Sequence, residues 1–371
     1  MKKFLFPVSL IFLVLLLSGW GSKGHKKISQ NFAVCLPAKM GFLNPGWTSF
    51  VANHGSDADY RKDQDPNESP RHFIDIDNYP EFVINGLINH SYDSVVAEHG
   101  LYFVTDQGIL PWATLRSYDS LKSCFQRSDW NRASLFAADL GHYVADGQMP
   151  LHIAKNYNGQ LSGQTGIHSR YETKLIERYE TSLVYPVDSA IYIANVSSYI
   201  FNYLYANYKF VDSILLADLY ATQIAGSVYS DAYYQAFWEK TGKFTINLMR
   251  NGSTALASLI YTAWIEAGSP TITPYSIDEP ESPGKLLMLP VYPNPACDVV
   301  FFPVVIPFPQ SFFTLEIYDL SGNLKDTIIR QSTSEEIQNI GFNSDGLSRG
   351  TYLCVLKSGS SRTIRKFVVT H

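Results

Sequence analysis

GHYVADGQMPLH, residues 141–152, decides how this chain of 371 residues folds. It closes a longer stretch, 121–147, in which apolar residues recur at three- and four-residue steps, the period of an α-helix. On such a helix His142 and Asp146 stand four apart and share a face, so an imidazole and a carboxylate converge. Gly147 and Pro150 predict a turn that brings His152 in behind them. Downstream, IHSRYE (167–172) repeats the pattern with His168 and Glu172, again four apart on a predicted helix. One such pair alone is most simply a hydrogen bond along a helix face. Two pairs with a histidine between them form the nitrogen and oxygen donor set that zinc prefers. Facing helices of a bundle are a known way to assemble a multi-metal core.

Working outward, residues 167–183, 190–208 and 246–268 carry the same helical periodicity, and most of these stripes are core packing. The fold class expected is an all-α catalytic domain, a helical bundle over residues 20–266, followed by a small all-β sandwich. A linker is expected over 267–287, where prolines and acids crowd together and large apolar residues thin out. Beyond it FFTLEIYDL (312–320), GTYLCVLK (350–357) and RTIRKFVV (362–369) alternate as strands, with SGN (321–323) as a turn. These place a β domain at 288–371.

Composition sets bounds. The chain is 46% hydrophobic, 14% aromatic and 17% charged, ordinary for globular domains apart from the aromatics. A net charge of −5 supplies no general positive field, so no stable nucleic-acid partner is expected, though a small site could still cut nucleic acid. Residues 1–19 pair Lys2 and Lys3 with an apolar run from Phe4 to Leu17 and then Ser18 and Gly19. This reads as a signal peptide cut after Gly19, and the mature protein is expected to carry no transmembrane segment. Export permits disulfides, and Cys35–Cys124 and Cys297–Cys354 are the natural pairs, with free buried thiols as the alternative.

HYVADGQMPLH and IHSRYE resemble the secreted bacterial zinc-dependent phospholipases C and the single-strand-specific fungal nucleases. The resemblance covers about residues 20–265. It implies an all-helical fold and three zinc ions. The matching pattern is His142, Asp146, His152, His168 and Glu172; the nucleases carry Asp where Glu172 stands, and Ala145 replaces the usual Gly or Thr. In this superfamily the mature chain begins with Trp, whose amine and carbonyl bind zinc. WGSKGH (20–25) offers Trp20 and His25 at the nuclease spacing. His72, in NHGSDADYRKDQDPNESPRHFIDID (53–77), matches another family ligand. Its partner aspartate is Asp57, fifteen residues upstream as in the nucleases, or Asp59, which lies in the family's local context; both stay open. Asp75, Asp77 and Arg71 are expected in supporting positions.

Carried over, one zinc would use Asp57 or Asp59, His72, His142 and Asp146. A second would use His152, His168 and Glu172, and a third Trp20, His25 and Asp146. The upstream Asp, Asp57 or Asp59, is also the expected catalytic group, orienting water or acting as a base. The reaction implied is hydrolysis of a phosphodiester by zinc-activated water, on a phospholipid or, alternatively, on nucleic acid or 3′-nucleotides. A metal-stabilised surface protein without activity is the reading from a different class.

The C-terminal segment resembles a second module, the sorting domain of type IX secretion. Its marks are YPNP (292–295), IYDLSG (317–322), the GTY strand and a final basic-apolar strand. The resemblance implies the type IX machinery as partner and a secreted or cell-surface location.

Overall fold

The computed structural model describes residues 20–43, 45–62, 65–271, 286–296, 299–306, 311–332, 337–359 and 361–370. The leader expected at 1–19 and most of the expected linker lie outside them. Helices dominate up to Glu266, and among the described residues seven antiparallel strands follow. No helix among the described residues is long and apolar enough to cross a membrane.

The helix Asp231–Glu266 is the spine of the first domain. Against it pack Gly21–Cys35, Val211–Ala225, Leu110–Gln126 and Trp130–Gly147. The last two are not continuous, although the periodicity of 121–147 runs through the break. Ser128 takes a positive φ of 55°, and the Asp129 side chain accepts from the Arg132 backbone N–H, starting a new helix. Trp130–Gly147 is buried on nearly every side over its last turns, from Leu140 to Gly147. That burial brings polar His142 and Asp146 into the core. Gly147 serves a close approach: a Cβ there would stand 2.6 Å from a ring carbon of Tyr203. The chain then turns into a short 3₁₀ helix, Pro150–Ile153, that carries His152.

Strands β1 (Leu287–Met288), β2 (Val299–Val305) and β5 (Ile337–Asn343) form one sheet in the order β1-β2-β5. Strands β3 (Phe312–Asp319), β4 (Leu324–Gln331), β6 (Gly350–Ser358) and β7 (Ser361–Val369) form the other, in the order β4-β3-β6-β7. Phe302, Phe342, Leu315, Leu356 and Phe367 fill the space between the sheets, so the domain is a sandwich with one apolar core.

The expected Cys35–Cys124 bridge is not formed. Cys35, Cys124 and Cys354 are free and buried, and Cys297 lies outside the described residues. Cys35 Sγ donates to the Asn31 carbonyl at 3.4 Å, and Cys124 contacts Arg127, so each thiol packs as a small core side chain. Burial pushes the Cys35 thiol up to about 11.

Candidate metal centre

Five separate stretches deliver side chains to one buried point. His25 comes from the first helix and Asp59 from the one-turn helix Asp57–Arg61. His72 ends the 3₁₀ helix Ser69–His72. His142 and Asp146 face inward from Trp130–Gly147, with His152 just beyond. His168 and Glu172 come from a helix that widens into a π-turn over Arg170–Leu175. A π-turn is rare and concentrates at functional sites. Here it still brings Glu172 Oε2 within 3.1 Å of His168 Nε2.

The potential ligand atoms group into three triads: His25, Asp59 and His142; His72, His142 and Asp146; and His152, His168 and Glu172. Within each triad the atoms lie within 4.8 Å of one another. Asp146 is the hub. Its Oδ2 stands 3.0 Å from His72 Nδ1 and 3.2 Å from His142 Nε2, while Oδ1 stands 3.3 Å from His152 Nδ1 and 3.6 Å from His25 Nε2.

The tautomers follow from the backbone. A carbonyl can only accept, so a ring nitrogen beside one carries the proton. His142 Nδ1 donates to the Gly55 carbonyl at 2.8 Å, His152 Nδ1 to His72 at 2.7 Å and His168 Nδ1 to Tyr157 at 3.1 Å. In the neutral ring each Nε2 is then left with a lone pair. His152 Nε2 and His168 Nε2 then face each other at 3.2 Å with the Glu172 carboxylate beside them. Lone pairs and a carboxylate converging in a dry pocket require positive charge between them. His25 adds two ring nitrogens without a hydrogen-bond partner, and Asp146 Oδ1 and Glu172 Oε2 are also unpartnered. This donor set fits zinc or a similar divalent cation.

Electrostatics point the same way. Burial, and then His142, lower His25 to about 3, so its imidazole is neutral and able to bind a metal. Burial also works against protonated His142, but Asp146 and Asp59 outweigh it and push His142 up to about 9. The acids therefore make the pocket attractive to a cation despite its dryness.

The structure separates the two aspartate alternatives. Asp59 Oδ1 lies 3.6 Å from His142 Nε2 and 3.7 Å from His72 Nδ1, inside the cluster. Asp57 points away. Its Oδ2 is 2.5 Å from His54 Nδ1 and accepts from Asn339 Nδ2 of the β domain at 2.7 Å. Trp20 caps the first helix, fully buried, with its ring 5.8 Å from that of Tyr171, the neighbour of Glu172. Its carbonyl accepts the Gly24 N–H at 3.1 Å, and the residue before it lies outside the described chain. Asp77 accepts from the Lys155 backbone at 2.9 Å and Arg71 reaches Glu68 at 3.2 Å; Asp75 lies outside the triads.

Sequence reasoning passed over Glu68, a buried acid beside His72 that gathers Arg61, Arg71 and Tyr143. Its position four residues before His72 was the available signal. It also passed over Lys62, whose Nζ is 2.6 Å from Asp59 Oδ1. A fourth grouping, Glu81, Glu98 and His99, is more exposed and is built from other helices.

Residues 290–370 match the family model of the secretion system C-terminal sorting domain. The sandwich is therefore a type IX sorting domain, which directs the chain to the cell surface or beyond. No curated protein matches the chain. Among solved structures, an alpha toxin from Clostridium absonum is 11% identical, with 95% of this chain and 98% of that one covered at a TM-score of 0.42. A Clostridium perfringens alpha-toxin from avian strain SWCP is 10% identical, with the same coverage and a TM-score of 0.45.

Proposed function

We propose that the helical domain is an exported zinc-dependent phosphodiester hydrolase of the phospholipase C kind. The observation that carries this reading is the convergence of His25, Asp59, His72, His142, Asp146, His152, His168 and Glu172 into three linked triads in a buried pocket. Three zinc ions are the expected complement, with the Trp20 amine as an added ligand once the leader is removed. Bound zinc supplies a Lewis acid for a phosphoryl oxygen and makes hydroxide available near neutral pH.

The chain's own residues do the rest. The carbonyls of Gly55, His72 and Tyr157 hold three imidazoles in the ligating tautomer. Asp146 ties the triads together through both oxygens. Asp59 is the most solvent-accessible acid of the cluster, its side chain 10% exposed against 0% for Asp146 and 2% for Glu172. This accessibility supports Asp59 as the acid that meets an incoming water and takes its proton. Lys62 beside it favours the ionised form and adds positive charge where an anionic diester would arrive.

Tyr60, next to Asp59, is 63% exposed. An exposed aromatic one residue along the chain from Asp59 suits a quaternary ammonium head group through cation–π attraction, or a base through stacking. The second reading is therefore a single-strand-specific nuclease or 3′-nucleotidase, which the spacing of Trp20 and His25 favours.

Elemental analysis of the mature protein should find two or three zinc ions. The zinc-loaded protein, assayed in parallel on phosphatidylcholine, single-stranded DNA and 3′-nucleotides, should hydrolyse phosphatidylcholine fastest. Faster cleavage of DNA or nucleotides establishes the second reading. Zinc without hydrolysis leaves a metal-stabilised surface protein, and a folded, metal-free protein overturns the site.

A further inference from the structure

His72 differs from the other histidines whose proton is assigned. His142, His152 and His168 are oriented by backbone carbonyls, whereas His72 has a carboxylate behind it. Its Nδ1 faces the cluster, 3.0 Å from Asp146 Oδ2 and 2.9 Å from His142 Nε2. Its Nε2 faces the other way, 3.3 Å from Glu68 Oε1, a charge contact rather than a straight hydrogen bond.

Glu68 is itself held from several directions. Tyr143 donates its hydroxyl to Oε1. Arg71 Nη1 and Arg61 Nε reach Oε2 at 3.2 and 3.3 Å. Arg61 is anchored in turn by Asp139 at 2.8 Å. Burial alone would raise the Glu68 carboxyl, but His72, Arg61 and Tyr143 together hold it below the usual carboxylate range. Together these donors reach both carboxylate oxygens. The result is a rigid, ionised group aimed at the back of one imidazole.

We propose that Glu68 is a positioning residue for His72. It holds the ring with Nδ1 toward the cluster and keeps a negative charge 3.3 Å behind Nε2. It thereby sets the metal affinity of the His72–His142–Asp146 triad separately from that of His152, His168 and Glu172. The proposal rests on the zinc reading above, and nothing in it concerns the substrate.

The test is metal occupancy, read by native mass spectrometry of the full mature chain during titration with a chelator. In Glu68→Gln, one zinc should leave at a 10- to 100-fold lower chelator concentration, with the remaining ions released as in the unmodified chain. Glu68→Asp keeps a negative charge for the arginines but falls short of His72; it should show the same selective loss and serves if the Gln variant fails to fold. In a His72→Ala background neither change should have a further effect on metal release. Unchanged release, equal loss of every ion, or a further loss in the His72→Ala background overturns the proposal. An unmodified chain that folds without zinc removes the reading beneath it as well.

Discussion

In the helical domain eight histidine, aspartate and glutamate side chains meet in the interior, and several of their atoms find no hydrogen-bond partner. In the sandwich the interior is built from Phe302, Phe313, Leu315, Ile317, Leu356 and Phe367, and the unpartnered buried atom among its described residues is Asn339 Oδ1. Both domains exclude water, but to different ends. An apolar core gains stability from burial alone. A buried set of ligands costs stability until a cation satisfies it, so its presence marks a site rather than a scaffold. The two domains therefore separate function from carriage, and this separation can be attacked directly.

The largest effect is expected from Asp146→Ala, which removes the hub of the triads. Hydrolysis should fall to background and at least one zinc should be lost, measured by assay and elemental analysis. Its counterpart in the sandwich, Phe302→Ala, should cost about 3–5 kcal/mol in the unfolding of that domain and leave hydrolysis within twofold. Activity lost with Phe302→Ala, or kept with Asp146→Ala, would break the division between the halves.

A finer contrast lies within one short helix. Asp59→Asn should lower kcat at least a hundredfold, a typical contribution from a positioned acid–base group. Asp57→Asn alters contacts with His54, Asn339 and Tyr292 and none within the triads, so zinc content and kcat should stay within about twofold. Equal losses from both would mean that the contact with the sorting domain, and not the cluster alone, supports the site.

The smallest effect concerns Asp75. Burial, together with Asp77 and Asp106, pushes its carboxyl up to about 7. Its ordinary value is about 3.9, so between those values the folded chain binds more protons than the unfolded one. The sign is fixed by that difference: stability associated with Asp75 falls as pH rises from about 4 to 7. Asp75→Asn should raise the melting temperature at pH 8 and leave it unchanged at pH 4, seen by calorimetry. A uniform shift at both pH values would place its effect in packing instead.

Much of the site was legible because it is local. His142 with Asp146 and His168 with Glu172 are each set by the four-residue period of a helix, which needs no knowledge of the rest of the chain. The sandwich was legible from period-two alternation and turn residues. Asp57 and Asp59 were not separable in this way. Two residues apart on a helix they stand about 200° apart, on opposite faces, and only the packing of that helix decides which face looks inward. Glu68 stayed hidden because Arg61 and Tyr143, which hold it from the other side, come from two other helices. The π-turn at Arg170–Leu175 left no mark in the periodicity, and the apparent Cys35–Cys124 pair had no geometric basis.

The linear order of residues determined the kinds of ligand, their pairing along each helix, and the change from helical to strand periodicity, since these follow from short-range backbone geometry. The tertiary structure decided which aspartate joins the cluster, how His72 is held, and that the thiols stay apart. Those outcomes depend on distances between segments that are far apart in the chain, and such distances are set only when the core closes.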